Sequence, residues 1–380
     1  MKTASLNILL VTAPLSTKGG TIRRLELWGR YLSQKMKLSL LFYSTAPDNI
    51  TPRISEGITC IPTQTMNRFG RILILPAALR ILWSILKCRP DYVLAMFLWP
   101  GLASGIAIQL ARILGLKSVR LGLHIAGDPI PPSLCWSPRT WIYALATKIS
   151  LALADDIIAI SPGIIELLQS KYGVPEGKAI HLAPISVEQH ELKKNWRDTN
   201  GQIHFGIFAR LSSDKGIQYA LKALAKLHAE GTKATLDIYG EGNYSQQLLN
   251  LTKNLGLQEI VRFHTWVAQP LNQMLKIDCL LLPSLSEGTP RCILEAASLG
   301  IPCIATLVGG VPDIIDHGKT GWLVPFGHPP KLAEAMRRVI VDPLILIKAG
   351  TQAMAKIQSS HSIANEITNL TRVFEQVNAP

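Results

Sequence analysis

Short apolar runs alternate with longer helical patterns along most of the chain, and this alternation constrains the fold more than any other feature. In the N-terminal half the runs predict buried strands, and the segments between them predict helices. The predicted strands are Ile8–Val11, Leu38–Tyr43, Tyr92–Phe97, Ser118–Leu123 and Asp156–Ile160. The predicted helices are Arg23–Leu32, Pro76–Cys88, Gly101–Leu114 and Pro138–Leu153. Such an alternation indicates a parallel sheet with helices on both faces.

The C-terminal half repeats the alternation. Its predicted strands are Ile203–Ala209, Thr235–Tyr239, Val261–His264, Cys279–Pro283, Pro302–Thr306 and Trp322–Val324. Its predicted helices are Ile217–Glu230, Tyr244–Leu255, Arg291–Leu299 and Lys331–Val341, followed by a final helix over about Ser362–Val377. At 380 residues the chain exceeds what one hydrophobic core usually serves.

We therefore predict an α/β protein of two Rossmann-like, doubly wound domains. The first domain takes residues 1–185 and the second takes residues 203–360. The charged segment 186–202 is interpreted as the linker between them. The helix in residues 361–380 is expected to cross back to the first domain.

Positive charge is concentrated in the first part of the chain. Residues 1–150 hold 18 Lys and Arg against 5 Asp and Glu, whereas the remaining residues hold 21 of each. A basic domain beside a neutral one suggests that the first domain meets an anionic partner. Nucleic acid and a negatively charged membrane surface both fit this charge.

Two apolar segments raise the question of a leader or a membrane span. The run at Ile8–Val11 is short and is followed by Gly19-Gly20, which favours a buried strand ending in a glycine loop over a signal-peptide core. Residues 92–111 lack a charge and are long enough to cross a bilayer, but Pro100-Gly101 interrupts them. A strand, a turn and a buried helix account for them better.

The predicted helix at Pro76–Cys88 has two interpretations. It is apolar almost all round, with Arg80, Ser84 and Lys87 on one narrow stripe, and such helices are normally buried. The alternative is a helix lying on an anionic bilayer with Trp83 at the interface, which would explain the basic first domain.

The six cysteines show neither paired spacing nor a Cys-x-x-Cys motif, so we expect free thiols in a reducing compartment and no zinc. The expected location is the cytoplasm.

The segment Ser284–Gly300 carries the clearest chemistry. Thr289 and Pro290 are predicted to be the N-cap and first residue of a helix that Gly300 ends. The exposed amides at such a helix start form a phosphate-binding site. Glu287 and Glu295 would place carboxylates beside it, and carboxylates accept hydrogen bonds from the hydroxyls of a sugar or a ribose. The Gly309-Gly310 pair forms a further loop at a strand end, where open parallel sheets bind ligands.

This region, with four other segments, resembles the retaining glycosyltransferases of family 4, which have the GT-B fold. The segments are PSLSEGTPRCILEAASLGIPCIATLVGGVPDIIDHGKTGWLVP (Pro283–Pro325), IFARLSSDKG (Ile207–Gly216), LDIYGEG (Leu236–Gly242), VRFHTWV (Val261–Val267) and ADDIIAISPGIIELLQSKYGVP (Ala154–Pro175). The resemblance implies two Rossmann-like domains that face a central cleft and a nucleoside-diphosphate sugar as donor substrate, with no other cofactor.

The resemblance also implies roles for residues of the second domain. Arg210 and Lys215 would hold the diphosphate and stabilise the departing nucleotide. Glu287 would accept from hydroxyls of the transferred sugar, and Glu295 from those of the ribose. The segment Gly288, Thr289, Pro290 and Arg291 would offer backbone amides to the phosphate and the sugar.

In the first domain, the resemblance implies that Gly19 and Gly20 let a loop approach the donor closely. His124, in LGLHIAGDP, matches a histidine that the family often places beside the reacting centre. A satisfied structural histidine is an equally good interpretation of this residue. The predicted catalytic set is therefore His124, Arg210, Lys215 and Glu287.

No Asp-x-Asp motif occurs in the chain, so we expect the diphosphate to be held without a metal ion. The resulting hypothesis is a metal-independent hexosyltransferase acting in bacterial polysaccharide, lipopolysaccharide or glycolipid synthesis. Its acceptor would be a carbohydrate or a lipid-linked molecule, with peripheral attachment at the inner membrane face and no nucleic acid as partner. A GT-B nucleotide-sugar epimerase and a non-catalytic partner subunit are the alternatives.

Overall fold

The computed structural model of the protein describes residues 6–12, 20–43, 57–63, 74–116, 118–130, 140–193, 202–267, 269–342 and 344–376. The chain divides into two compact units, of which the first is Met1–Pro184 with Ala364–Pro380 and the second is Ile185–Ile363.

The first unit is built on a seven-stranded sheet in which every neighbouring pair is parallel. The strands are β1 (Asn7–Thr12), β2 (Lys37–Tyr43), β3 (Ile58–Thr63), β4 (Tyr92–Met96), β5 (Arg120–Ile125), β6 (Asp156–Ala159) and β7 (Ile180–Leu182). The helices are α1 (Gly20–Leu32), α2 (Ile74–Cys88), α3 (Leu98–Ile113), α4 (Thr140–Leu153) and α5 (Pro162–Tyr172). The strand order is β3-β2-β1-β4-β5-β6-β7.

The first interpretation of helix α2, a buried helix, holds for only one of its sides. The expectation that it is buried all round is wrong, because Leu75, Leu79, Trp83 and Leu86 are exposed. Its opposite side, which includes Ile81, is buried.

The second unit has a six-stranded sheet, again with only parallel pairs. Its strands are β8 (Ile203–Phe208), β9 (Ala234–Tyr239), β10 (Val261–His264), β11 (Cys279–Leu282), β12 (Cys303–Thr306) and β13 (Gly321–Val324). Its helices are α6 (Ile217–Ala229), α7 (Ser245–Asn254), α8 (Leu271–Met274), α9 (Arg291–Ser298), α10 (Val311–Ile314), α11 (Pro329–Val341) and α12 (Leu344–Ser360). The strand order is β10-β9-β8-β11-β12-β13. The predicted α/β fold of two Rossmann-like domains is confirmed.

The last helix, α13 (Ile363–Glu375), belongs mainly to the first unit although it ends the chain. Phe374 is buried there, with its ring centroid 5.2 Å from that of Tyr92 on β4. Glu366 is also buried and meets Arg24 and Trp28 of α1. The helix thus adds both apolar and charged contacts to the first unit.

The described part of the predicted linker, residues 186–193, packs into the second unit. Lys193 is buried, and its Nζ atom lies 3.1 Å from Oδ1 of the buried Asp278. The backbone amide of Val187 donates to the carbonyl of His361. The second unit therefore holds this segment near both of its ends, and it pairs the buried charge of Lys193 internally.

Candidate donor-binding site

The strand order of the second sheet reverses between β8 and β11. The chain proceeds outwards from β8 to β9 and β10 on one side, and from β11 to β12 and β13 on the other. Open parallel sheets bind ligands at the carboxyl edge of such a switch point. The loop after β8 carries Arg210 and Lys215, and the loop after β11 carries Glu287. The predicted donor-binding residues therefore flank the position that the topology favours.

An ion pair joins the two loops. The Nζ atom of Lys215 lies 2.7 Å from Oε1 of Glu287, and both side chains are largely buried. The backbone reinforces this contact, since the amide of Leu285 donates to the carbonyl of Asp214 at 2.7 Å. Gly216 follows in the left-handed region with φ of 66°, where a Cβ atom would lie 1.9 Å from the Pro283 carbonyl oxygen. Only glycine permits this approach.

A third loop, which follows β12, supports Glu287 from the other side. Gly309 has φ of 50°, and a Cβ atom there would lie 1.7 Å from the Glu287 carbonyl oxygen. The amide of Gly310 donates to the carbonyl of Gly288 at 3.0 Å. The Gly309-Gly310 pair therefore fixes the backbone that carries Glu287 and Gly288.

Helix α9 begins at Arg291, the first residue of the predicted helix, but its cap differs from the prediction. The prediction of Thr289 as N-cap and Pro290 as first helical residue is wrong, because Pro290 is extended with ψ of 113° and occupies the cap position. No side chain caps the helix. Its first amides have no acceptor inside the helix, which leaves donors for an anion. The predicted end is confirmed, since Gly300 follows the helix with φ of 75°.

Glu295 lies about one turn into α9 and is buried. Its Oε1 atom is 3.6 Å from Nε of Arg291, in an i,i+4 pair on the same helix. Between them in sequence, burial raises the pKa of the Cys292 thiol, and the charges of Glu287 and Glu295 raise it further while Lys215 opposes them. The charges of Glu287, Glu295 and Lys215 therefore all influence the Cys292 thiol at the start of α9.

Arg210 is exposed at the same edge of the sheet. Within the part of the chain that the structure describes, its side chain makes no hydrogen bond or ion pair. Its backbone is held, because the amide of Ser212 donates to the Arg210 carbonyl at 2.9 Å. The amide of the next residue, Leu211, donates to the backbone carbonyl of Glu241 at 2.9 Å. A guanidinium on a fixed backbone is thus available to an anionic ligand.

Three hydroxyl oxygens around these loops are buried without a hydrogen-bond partner among the described residues. They belong to Ser212 after β8, Ser284 after β11 and Thr289 before α9. Buried polar groups are normally hydrogen-bonded. Their clustering at the switch point fits a site that is completed by a polar ligand.

In the first unit, His124 lies near the end of β5 and is 2% exposed. Its Nε2 atom is 2.6 Å from Nη1 of Arg24. Since an arginine can only donate, Nε2 is the acceptor and the imidazole is neutral. Burial, followed by the Arg24 charge, holds the His124 pKa well below its ordinary value. Its predicted catalytic role stays a prediction.

Arg24 was not singled out in the sequence. Its Nε atom lies 2.6 Å from Oε1 of Glu366, which also accepts from Trp28 at 3.0 Å. Both charged side chains are almost fully buried. The two residues are 342 positions apart in the sequence, so no local sequence pattern predicts that they form a pair. Of the two predicted glycines here, Gly20 is the first residue of α1, whereas Gly19 lies outside the described residues.

Among the described residues, no group of three or more His, Cys, Asp or Glu side chains is arranged to hold a metal ion. In that part of the chain there is also no helix with the length and apolar character needed to cross a membrane.

Solved structures share this architecture over the whole chain. A glycosyltransferase from Rickettsia africae superposes with a TM-score of 0.76 and 19% identity, covering 98% of this chain and 99% of its own. HepE of Anabaena, solved in complex with UDP, gives a TM-score of 0.76 and 18% identity, with coverage of 98% and 100%. The fold is therefore that of the GT-B glycosyltransferases.

Sequence comparison shows which glycosyltransferases this chain resembles. Residues 188–356 match the family model described as Glycosyl transferases group 1. The putative colanic acid biosynthesis glycosyltransferase WcaL of Salmonella typhimurium is 32% identical over 133 residues, covering 33% of each chain. The N-acetyl-alpha-D-glucosaminyl L-malate synthase of Bacillus anthracis is 30% identical over 190 residues, covering 49% of each. The alignments thus span a third to a half of these relatives. Residues 188–356 are therefore similar to the group 1 glycosyltransferases, and the predicted resemblance to such enzymes is confirmed.

Proposed function

We propose that this chain is a retaining glycosyltransferase that moves a sugar, a hexose in our preferred form, from a nucleoside-diphosphate sugar to an acceptor hydroxyl. The observation that carries the proposal is the contact between Lys215 and Glu287 at the switch point of the second sheet. It joins a cation suited to phosphate with a carboxylate suited to sugar hydroxyls. In a nucleotide-sugar the phosphate and the sugar are joined at the anomeric carbon. The neighbouring Lys215 and Glu287 therefore match the neighbouring phosphate and sugar of such a donor.

The rest of the site completes the donor's binding requirements. Arg210 and the first amides of α9 supply further positive charge for the diphosphate. Gly288, Thr289 and Arg291 lie in the segment that leads into those amides. Glu295 would accept from the ribose, after exchanging its contact with Arg291 for hydroxyls. No metal ion is needed in this scheme, because side-chain cations and amides neutralise the diphosphate.

The chemistry that these residues perform is stabilisation of the leaving group. As the bond between the anomeric carbon and the phosphate oxygen breaks, negative charge grows on the diphosphate, and Arg210 and Lys215 stabilise that charge. The acceptor hydroxyl attacks from the same face, and its proton passes to the departing phosphate oxygen. Such a route gives retention of configuration and requires no nucleophilic carboxylate.

The proposed class of acceptor is inferred from the relatives that this chain resembles. WcaL is described as acting in colanic acid biosynthesis, and AmsK of Erwinia amylovora, 26% identical over 214 residues, in amylovoran biosynthesis. We propose that this chain acts likewise in polysaccharide, lipopolysaccharide or glycolipid synthesis, on a carbohydrate or lipid-linked acceptor. A cytoplasmic protein attached peripherally to the inner membrane face, with no nucleic acid partner, fits that role.

A transfer assay tests the proposal. The purified chain is incubated with UDP-glucose and with other nucleoside-diphosphate sugars, in the presence of membrane lipid extracts as acceptors. Nucleotide release is measured by chromatography, and the configuration of the product by proton NMR. We expect acceptor-dependent release, retention, and no loss of activity after treatment with EDTA.

Each contrary outcome removes a specific part of the proposal. Turnover of the nucleotide-sugar without any acceptor would favour an epimerase, and binding without turnover would favour a non-catalytic subunit. An inverted product would remove the same-face route. Reversible loss of activity on chelation would contradict metal independence.

A further inference from the structure

Helix α2 presents an apolar stripe that nothing in the described part of the chain covers. Leu75, Leu79, Trp83 and Leu86 follow one another at intervals of three or four residues and therefore share one side of the helix. Leu75 is 64% exposed and Trp83 is 45% exposed. The opposite side of the helix is buried. An amphipathic helix of this kind normally turns its apolar stripe inwards, whereas α2 has apolar residues on both sides.

Helix α4 has the same property. Trp141, Ile142, Leu145 and Ile149 are exposed, and Trp141 reaches 66%. The opposite side, with Ala146 and Leu151, is buried. We call the eight exposed side chains of α2 and α4 the two-helix face. Monomeric soluble proteins rarely expose large apolar residues in such density without an interaction to explain it.

The two helices belong to one layer of the first unit. Both pack against α3, which lies between them, and α3 in turn packs on strands β4 and β5. The exposed side chains of α2 and α4 therefore lie on the same side of the sheet.

The charge of this layer is uniformly positive. None of α2, α3 and α4 contains an Asp or Glu, and residues 74–154 hold eight Lys and Arg against two acidic residues. On α2, Cζ of Arg80 and Nζ of Lys87 lie 4.5 and 4.8 Å from the centroid of the Trp83 ring. Lys148 stands exposed on α4 beside Ile149. The apolar side chains are thus accompanied by cations and by no carboxylate on the same helices.

We propose that the two-helix face docks on an anionic lipid bilayer, with Trp83 and Trp141 at headgroup level and the leucines and isoleucines entering the acyl boundary. Tryptophan is favoured at that depth, and lysine and arginine reach from it to lipid phosphates. Anionic lipid attracts each such cation. A second copy of the chain fits less well, because it would bring two faces of like charge together.

This attachment does not depend on the transfer reaction, since it uses the first unit and none of the donor-binding residues. It would hold the protein at the surface where lipid-linked molecules are found. The docking and the transfer reaction therefore fail independently.

Vesicle flotation tests the docking. The full chain is mixed with vesicles of phosphatidylcholine alone and with vesicles that contain 30% phosphatidylglycerol. We expect the bound fraction on the anionic vesicles to exceed that on the neutral ones about tenfold, and to fall when salt rises from 0.05 to 0.5 M. The variant Trp83→Ala/Trp141→Ala should lose about tenfold in partitioning, because interfacial binding scales with buried apolar area.

The matched control removes exposed apolar side chains from the second unit. Val341→Ala/Leu344→Ala changes residues that are 75% and 73% exposed there, and it should float like the unaltered chain. UDP binding is measured on every sample to show that the second unit is intact. Equal binding to both kinds of vesicle, or unchanged binding of the double tryptophan variant, would overturn the proposal. A dimer in solution that this variant dissociates, without vesicle binding, would assign the face to a second copy instead.

Discussion

Replacing Glu366 with alanine should destabilise the first unit more than any surface change. The carboxylate lies 2.6 Å from Nε of Arg24 and accepts from Nε1 of Trp28 at 3.0 Å. The side chains of Arg24 and Glu366 are 5% and 1% exposed. Without the carboxylate, the guanidinium keeps its charge in a buried site, where the neutral His124, the carbonyl of Ala183 and the Trp28 ring do not neutralise it.

The expected loss follows from that geometry. Removing one member of a buried ion pair costs roughly 3–5 kcal/mol, because the other charge stays desolvated. For a unit of this size each kcal/mol lowers the melting temperature by about 2–4 °C, so the transition of the first unit should fall by roughly 6–20 °C. The second unit should be unaffected in its own transition.

Differential scanning calorimetry measures this directly. Trp28→Phe is the graded control, since it removes one hydrogen bond to Glu366 and should cost only about 1 kcal/mol. The double variant Arg24→Met/Glu366→Met replaces both charges with apolar groups and should regain part of the loss. A Glu366→Ala variant within 1 kcal/mol of the unaltered chain, or a double variant no better than the single one, would refute the reasoning.

Three further predictions concern His124, Glu287 and Gly309. The folded chain keeps His124 neutral, whereas the unfolded chain protonates it below a pH of about 6.5, so the stability that this residue contributes is present above that pH and lost as the pH falls. Between pH 7.5 and 5.5 the free energy of unfolding should drop by up to about 1.4 kcal/mol from this group, as measured by urea titration. Glu287→Gln should reduce kcat/KM for sugar transfer at least tenfold and leave UDP affinity equal or higher, because Lys215 loses its internal partner, which calorimetric titration can show. Gly309→Ala should weaken binding of UDP-glucose and lower the melting temperature, since the new Cβ atom meets the Glu287 carbonyl.

Each of these has a matched control. His124→Asn retains an acceptor for Arg24 but cannot be protonated, so a pH dependence equal to that of the unaltered chain would contradict the assignment. Glu334→Gln, at an exposed i,i+3 pair with Lys331, should leave turnover unchanged. Gly318→Ala has a similar φ of 75° but open space around its Cβ position. If it weakened UDP-glucose binding as much as Gly309→Ala, backbone strain alone would explain the effect.

The sheets were predictable because fully buried parallel strands are continuous apolar runs. β3 was missed because it is an edge strand, where Pro62 can be accommodated without breaking a ladder between two neighbours. Helix α5 carries clear boundary signals, with Ser161 capping its start and Gly173 in the left-handed region at its end. These signals were available in the sequence. Helix α12 was not predicted, although the amide of its first residue, Leu344, donates to Oδ1 of Asp342 at 3.2 Å.

Arg210, Lys215 and Glu287, which we propose to bind the donor, could be singled out from the sequence because they lie in two loops that follow strands. The features that support them were less predictable, because the N-cap of α9 is Pro290 and not Thr289, and the close approach of Gly309 to Glu287 is a tertiary contact. The Arg24–Glu366 pair depends on a helix at the far end of the chain, and no local pattern distinguishes a buried arginine from a solvated one. The exposed stripe of α4 was missed because apolar residues at helical spacing are most often buried.

The most direct test of the donor-binding site is calorimetric titration of the purified chain with UDP, GDP and ADP and with their glucose conjugates. At least one of these should bind, and Arg210→Ala should weaken it by about tenfold or more, because a charge-assisted hydrogen bond contributes about 1.5–3 kcal/mol. Arg338→Ala, which removes an exposed arginine from α11, should bind with unchanged affinity. Binding of none of these ligands, or equal affinity in the Arg210 variant, would contradict a nucleotide-sugar site at the ends of β8 and β11.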